Sequence, residues 1–259
     1  MANRFGAAFR RRERWPAEVL TTGIGEIDVR LSGFPRGAIT EVHGIASSGR
    51  TSLLVAALAV ATRQEETCAL IDAGDTFDPA SAANALVDFE RLLWIRCGGS
   101  LELAFKATDL LLQSGGFGLV ALSMSEVAER YARRIIPSWW FRLRCTIEST
   151  ATTLVVVTPA SCVRSCAAAI WEIENERAVW PSALNVAFET SNVGKEEYEK
   201  DQTKSAQLSL VPESARPVRN NPSRPAHTVL LRGAEVRIAG EKPAFWAGGP
   251  ARFSVRAKL

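Results

Sequence analysis

The sequence predicts an α/β fold: a mainly parallel central sheet flanked by helices, with a flexible C-terminal extension. Short β-prone runs alternate with helical runs from Ile39 onward, the order that builds parallel sheets through crossover helices. The run Thr153-Leu154-Val155-Val156-Val157 is so rich in β-branched residues that it suits the centre of such a sheet, buried on both faces. Between one strand and one helix lies a Gly/Ser loop, Gly44 to Gly49, placed where backbone amides and a helix N-terminus cradle phosphates.

Taken in order, residues 1–20 form a basic N-terminal arm with Arg10, Arg11, Arg12 and Arg14 clustered. That cluster reads as a solvated arm or as a contact with nucleic acid or an acidic partner. The core is assigned to 21–192. Its first strand is Ile39-Thr40-Glu41-Val42, and the run Thr51 to Arg63, apolar almost all round, is a buried helix. Cys68 to Asp72 and Leu92 to Arg96 are further strands, and Leu101 to Gln113 is an amphipathic helix. Gly118 to Leu122 is an apolar strand after a Gly-rich turn. Val127 to Thr150 is helical but interrupted by Pro137, Cys166 to Glu176 is expected to be helical, and Ala183 to Thr190 another strand. Residues 193–227, charged and rich in Pro, Asn and Ser, read as a linker. In the tail, 228–259, Thr228 to Ile238 suggests a short hairpin around Gly233. Phe245, Trp246 and Phe253 stand among Gly and Pro, as a partner-docking segment or an annealed end strand.

Composition narrows the class without naming a function. The chain has 259 residues, 47% hydrophobic and 23% charged, the make-up of a soluble globular protein. Lys+Arg 31 against Asp+Glu 28 leaves a net charge of +3, far from the excess of a protein that coats DNA by charge alone. The five cysteines, Cys68, Cys97, Cys145, Cys162 and Cys166, show no metal-ligand spacing and read as reduced thiols of a cytoplasmic protein. The Arg-rich start has no apolar stretch after it, and the longest apolar run, Leu53 to Ala61, is too short for a bilayer, so no membrane association is expected.

Gly44-Ile45-Ala46-Ser47-Ser48-Gly49-Arg50-Thr51-Ser52 has the Walker A spacing, two glycines followed by a basic and a hydroxyl residue. Arg50 stands where that motif has lysine. A lysine is a point charge on a thin stem that fits between phosphates, whereas arginine is a wider planar fork. Arg50 therefore either contacts phosphates or fills the site itself, paired with Asp72 or Asp75.

These motifs resemble the RecA recombinase core. The resemblance is carried by Thr22 to Asp28, Gly33 to Gly37, Glu41-Val42, the loop itself, Cys68 to Ala73 and Phe77-Asp78-Pro79, and it runs from about Thr21 to Glu176. It implies that the departures fall on the catalytic machinery. The position of the water-activating glutamate is Gly74, with Asp75 beside it. The Walker B strand ends in Ser123 rather than aspartate, and Val155-Val156-Val157 leads into Thr158-Pro159 with no sensing glutamine. Both DNA-binding loops are shortened, to about Ser125 to Arg130 and Ala160 to Ser165. No catalytic residue is assigned, and no cofactor beyond residual ATP held by the loop.

Within that group, Ser47 to Leu54 and Phe77-Asp78-Pro79-Ala80-Ser81 resemble ImuA, the accessory protein of bacterial mutagenic translesion synthesis. The resemblance implies a non-catalytic factor of the DNA-damage (SOS) response. Its partners would be an ImuB-type Y-family polymerase homologue, an error-prone C-family polymerase and RecA itself, with DNA reached indirectly. The alternatives are an active RecA-type DNA-dependent ATPase or recombination mediator, and a direct modulator of RecA filaments.

Other features carry plainer readings. Trp139-Trp140-Phe141 with Arg142 and Arg144 is either a base-stacking patch or a helix whose aromatics pack on the sheet, the second being favoured. Arg130, Arg133 and Arg134 form a basic strip, a solvated face or a weak phosphate contact. His43 is expected to be structural.

Overall fold

The computed structural model describes residues 18–179, 233–242 and 250–256. The N-terminal cluster Arg10 to Arg14, the expected strand Ala183 to Thr190, the linker 193–227, Phe245 and Trp246 lie outside the described residues.

The chain opens with a short strand β1 (Val19–Leu20), helix α1 (Gly25–Leu31) and strand β2 (Phe34–Pro35), which pairs antiparallel with β1. Strand β3 (Ala38–His43) then leads through the phosphate loop into α2 (Arg50–Arg63). After it come β4 (Cys68–Asp72), α3 (Pro79–Asn84), β5 (Leu92–Arg96), α4 (Leu101–Ser114), β6 (Leu119–Ser123), α5 (Glu129–Ala132), α6 (Pro137–Ile147) and β7 (Thr153–Thr158). Strands β8 (Ala169–Val179), β9 (Gly233–Lys242) and β10 (Ala251–Arg256) complete the described elements.

The expected α/β architecture is present. An eight-stranded sheet has the order β10-β9-β8-β3-β7-β6-β4-β5. From β8 to β5 every neighbouring pair is parallel, and β9 and β10 continue the sheet antiparallel. Because successive side chains of a strand point to opposite faces, these strands divide their apolar residues between two cores. Leu70, Leu119, Ala121, Val155 and Val157 face the layer of α1 and α2, while Ala69, Ile71, Val120, Leu122, Leu154 and Val156 face that of α4 and α6. Burial on both faces is why the strands read as near-continuous apolar runs.

Local chemistry sets several element ends. Asp78 accepts from the amides of Ala80 and Ser81 ahead of α3, which has Pro79 at its start, and Ser100 accepts from Leu103 ahead of α4. Pro137 begins α6 and so divides the helical stretch expected over 127–150 into α5 and α6. Trp139 and Trp140 pack on Phe105 of α4, with ring centroids 4.8 and 4.7 Å apart. Trp140 is therefore a core residue and Trp139 is half-buried against the same core, while Phe141 is exposed.

Two expectations are corrected. Cys166 to Glu176 is not a helix: a single turn at Arg164–Cys166 leads into strand β8, whose Trp171 stacks on Phe34 at 4.7 Å. The β-branched and aromatic residues Ile170, Trp171 and Ile173, all buried, fit a place beside β3, and tertiary pairing overrides the helical reading. Of the hairpin expected over Thr228 to Ile238, residues 228–232 lie outside the described residues; Gly233 begins strand β9, which pairs antiparallel with β10. Phe253, offered as a docking residue on a loose tail, is 5% exposed in the core beside Val236 and Ile238. The end-strand alternative is the one the sheet adopts there.

The loop after β7 hangs on one carboxylate. Glu41, fully buried in β3, accepts from the amides of Cys162 (2.6 Å) and Val163 (3.1 Å) and the hydroxyls of Ser161 (2.9 Å) and Thr158 (3.4 Å). A buried carboxylate is tolerated when its oxygens are satisfied in this way. Burial and the Glu41 charge push the Cys162 thiol up, and burial raises that of Cys68 to about 12, so both stay protonated and unreactive near neutral pH. Replacing Glu41 by alanine orphans these buried donors. Glu41→Ala is expected to lower the free energy of unfolding by about 3 kcal/mol or more, with Glu41→Gln, which keeps an acceptor, costing less. Chemical denaturation checks it, and an alanine variant as stable as its parent would contradict the cradle's role.

Candidate functional site

The loop from Gly44 to Gly49 leaves the C-terminal end of β3, with β7 on one side and β8 on the other. Crevices at such a place, beyond the carboxyl ends of parallel strands, are where open α/β sheets bind ligands. The backbone of the loop is set by close approach. A Cβ on Gly44 would lie 2.2 Å from the carbonyl oxygen of Ile173 in β8 and 2.9 Å from Ser48 Oγ. Gly49 has φ +100 at the start of α2, and its Cα faces Val236 of β9, which a Cβ would meet at 3.1 Å. Asn175 of β8 donates to the Ser47 carbonyl at 3.2 Å. His43 Nε2, just before the loop, lies 3.3 Å from Glu241 Oε2 in β9. The last strands of the sheet thus hold the loop from one side, which no local sequence signal indicated.

The remaining motif residues differ in exposure. Ser47 is exposed, Ser48 buried, Thr51 exposed and Ser52 half-buried on the first turn of α2. Ser48 Oγ and Asp72 Oδ1 are buried without a hydrogen-bond partner among the described residues, so each retains capacity for a polar group.

Arg50 is turned inward and is 4% exposed. Its guanidinium donates to the main-chain carbonyl of Thr158, the last residue of β7, and at 3.5 Å to that of Ser125, just beyond β6. Burial lowers its pKa and the Glu126 carboxylate opposes that shift. The pairing expected with Asp72 or Asp75 is not formed. Asp72 Oδ2 instead accepts from the Phe77 amide at 2.8 Å, and Asp75 pairs with Arg96 at 3.3 Å while accepting from the Gly98 amide at 3.2 Å. Asp72 thus holds the loop after β4 through one oxygen, Asp75 ties that loop to the end of β5, and the acceptors of Arg50 are main-chain carbonyls.

At the ends of the neighbouring strands the carboxylates of a hydrolytic site are missing. Ser123 closes β6 with its Oγ 3.4 Å from Ser125 Oγ. Gly74 follows β4, and a Cβ there would lie 3.3 Å from Glu126 Cβ. Hydrolysis of a magnesium nucleotide needs a cation reaching the phosphates, a carboxylate holding the metal and a group orienting water. The residues present do not fit that set: the Arg50 guanidinium is bonded to main-chain carbonyls and positions 74 and 123 carry no charge. Glu126, missed in the sequence because nothing in its surroundings marks it, is the residue whose Cβ lies against Gly74.

The basic strip is partly neutralised. Arg133 Nε donates to Glu129 Oε1 at 2.7 Å and Arg130 lies over the Tyr131 ring at 4.9 Å, while Arg134 is exposed. Gly44→Ala, which forces the loop off the β8 backbone, is expected to destabilise the protein by about 2 kcal/mol or more. Gly25→Ala, with nothing within 4 Å of its Cβ, is its control. Equal melting temperatures for the two variants would refute the packing argument.

Comparison with known proteins places the likeness on this half of the chain. Residues 7–130 match the RecA N-terminal domain. RecA of Ectopseudomonas oleovorans is 37% identical over 107 residues, 40% of this chain and 30% of that protein. RecA of Leifsonia xyli subsp. xyli is 39% identical over 112 residues, 42% of this chain and 31% of that protein. RecA of Gluconacetobacter polyoxogenes is 38% identical over 122 residues, 45% of this chain and 34% of that protein. The chain thus spans only about a third of the length of the curated relatives it matches. A solved structure, the RadB recombinase, aligns with a TM-score of 0.49 at 17% identity, covering 61% of this chain and 84% of that one. The chain is RecA-like over residues 7–130, the stretch that holds the phosphate loop, Gly74 and Ser123.

Proposed function

We propose that this chain is a non-catalytic, RecA-like accessory factor of damage-induced, error-prone translesion DNA synthesis. It assembles with an ImuB-type Y-family polymerase homologue and an error-prone C-family polymerase, and reaches DNA through them. The observation that carries the reading is a phosphate loop kept in shape but deprived of its chemistry. Arg50 bonds to carbonyls, and Gly74 and Ser123 stand where a hydrolytic site has carboxylates. The motifs Ser47 to Leu54 and Phe77 to Ser81, which resemble ImuA, support the choice of pathway.

Direct DNA coating is disfavoured by the charge. The net charge is +3, Arg133 is engaged by Glu129, and Arg142 is engaged by Asp109 at 2.5 Å. A second reading, direct modulation of RecA filaments, starts from the likeness of residues 7–130 to the RecA N-terminal domain. It calls for altered strand exchange by RecA at sub-stoichiometric amounts of this protein, with no polymerase present.

Removal of the chain after about Ser191 would strip β9 and β10, with Val236, Ile238 and Phe253, from the core, so the full chain must be used. Phe245 and Trp246 lie in the connection between those two strands. The full-length protein is expected to co-purify with an ImuB-type partner, and the double variant Phe245→Ala/Trp246→Ala to lose at least about tenfold in affinity. No co-purification of the parent protein would sink the accessory reading. Unchanged binding of the double variant would remove the connection as its docking point.

A further inference from the structure

We infer that the phosphate loop is closed by an internal plug: the Arg50 side chain, bonded to the ends of β6 and β7, occupies the part of the site where a nucleotide's terminal phosphate and metal would be held. It rests on the contacts of the Arg50 side chain and does not depend on which partner the protein serves.

The placement of Arg50 is costly unless something compensates it. It is the first residue of a fourteen-residue helix that has no acidic residue in its first turn and no side-chain cap. A cation there faces the positive end of the helix macrodipole. It is also removed from water, which penalises its charge. Compensation comes from the carbonyls of Thr158 and Ser125 and from the Glu126 carboxylate. Thr158 closes β7 and Ser125 follows β6 by two residues, so the guanidinium lies across the carboxyl ends of two central parallel strands.

Position 74 belongs to the same arrangement. The segment carrying Ser125 and Glu126 comes close to the end of β4, where even a Cβ on Gly74 would meet Glu126 Cβ at 3.3 Å. A long side chain at 74 would push this segment outward and remove both the Ser125 acceptor and the Glu126 counter-charge from Arg50. Ser123, uncharged and turned towards Ser125, leaves the guanidinium to the carbonyls. The three departures from a hydrolytic site, at 50, 74 and 123, therefore act as one unit: an arginine, room for its counter-charge, and no competing carboxylate beneath it.

What the plug covers still has binding capacity. Ser48 Oγ is buried and unpartnered among the described residues, a donor open to a phosphate oxygen, and the loop keeps its glycine-dependent shape against β8 and β9. Shortening the plug should thus expose a usable phosphate site. A lysine at 50 has a single ammonium that cannot bridge both carbonyls as the guanidinium fork does, and it suits phosphate as a point charge.

The test is isothermal titration of the full-length protein and of Arg50→Lys with magnesium-ATP and magnesium-ADP, with thermal denaturation of both in parallel. The parent protein is expected to give no binding heat and no nucleotide-dependent rise in melting temperature. Arg50→Lys is expected to melt lower than its parent and to bind at least about tenfold more tightly. Arg50→Ala, with no cation at all, separates the plug from the new charge: it too should gain a nucleotide-dependent rise in melting temperature. Should it fail to fold, the lysine variant decides. Nucleotide binding by the parent as tight as by Arg50→Lys would overturn the plug, as would a folded Arg50→Lys that binds nothing. Neither result bears on co-purification with a polymerase homologue, so the two proposals fail separately.

Discussion

A buried cation must find acceptors, and the way Arg50 finds them organises the edge of the sheet where this fold does its chemistry. While Asp72 accepts from the Phe77 amide and Asp75 pairs with Arg96, the guanidinium reaches across to the carbonyls of Thr158 and Ser125. That bond ties the start of α2 to the ends of two parallel strands. In an active P-loop site a magnesium nucleotide is held between the loop and the neighbouring strand that carries the metal-binding aspartate. Here the connection is made within the chain, and it survives only while the segment after β6 stays close to β4, which Gly74 permits.

The other side of the loop is held just as firmly, by strands distant in sequence. Ile173 and Asn175 of β8 and Val236 of β9 press on Gly44, Ser47 and Gly49, and His43 lies beside Glu241. Glu41, one residue pair back along β3, gathers the loop after β7 through its carboxylate. Strand β3 therefore carries the phosphate loop at its end and anchors a second loop from its middle. The C-terminal strands are part of the same body. They extend the sheet and contribute Val236, Ile238, Ala251 and Phe253 to the core of α1 and α2. Any partner that pulls on the connection between β9 and β10 pulls on strands in contact with the phosphate loop.

Much of this was legible in the sequence. The β-branched run at 153–157, the alternation of strands and helices and the Gly-Ser loop between β3 and α2 state the architecture, because burial of parallel strands on both faces dictates their composition. The charged Glu41 inside an apolar strand was a visible anomaly, though its acceptor role depends on a loop 120 residues away. Strand β8 was misread as a helix because its pairing with β3 and β9 outweighs local preference. The true acceptors of Arg50 were illegible, since a main-chain carbonyl has no residue signature. Phe253 shows the same limit: an aromatic in a tail segment, between Arg252 and Ser254, reads as exposed until a neighbouring strand covers it.

Under the proposed function, the likeness to RecA over residues 7–130 and the uncharged Gly74 and Ser123 belong to a protein that keeps the phosphate loop and works by assembly. Its central claim is that the loop supports structure rather than turnover. The most direct measurement is phosphate release from magnesium-ATP by the purified full chain, with and without single-stranded DNA, beside a RecA control. The account predicts release indistinguishable from the no-protein baseline under both conditions. Turnover that rises on addition of single-stranded DNA would contradict it.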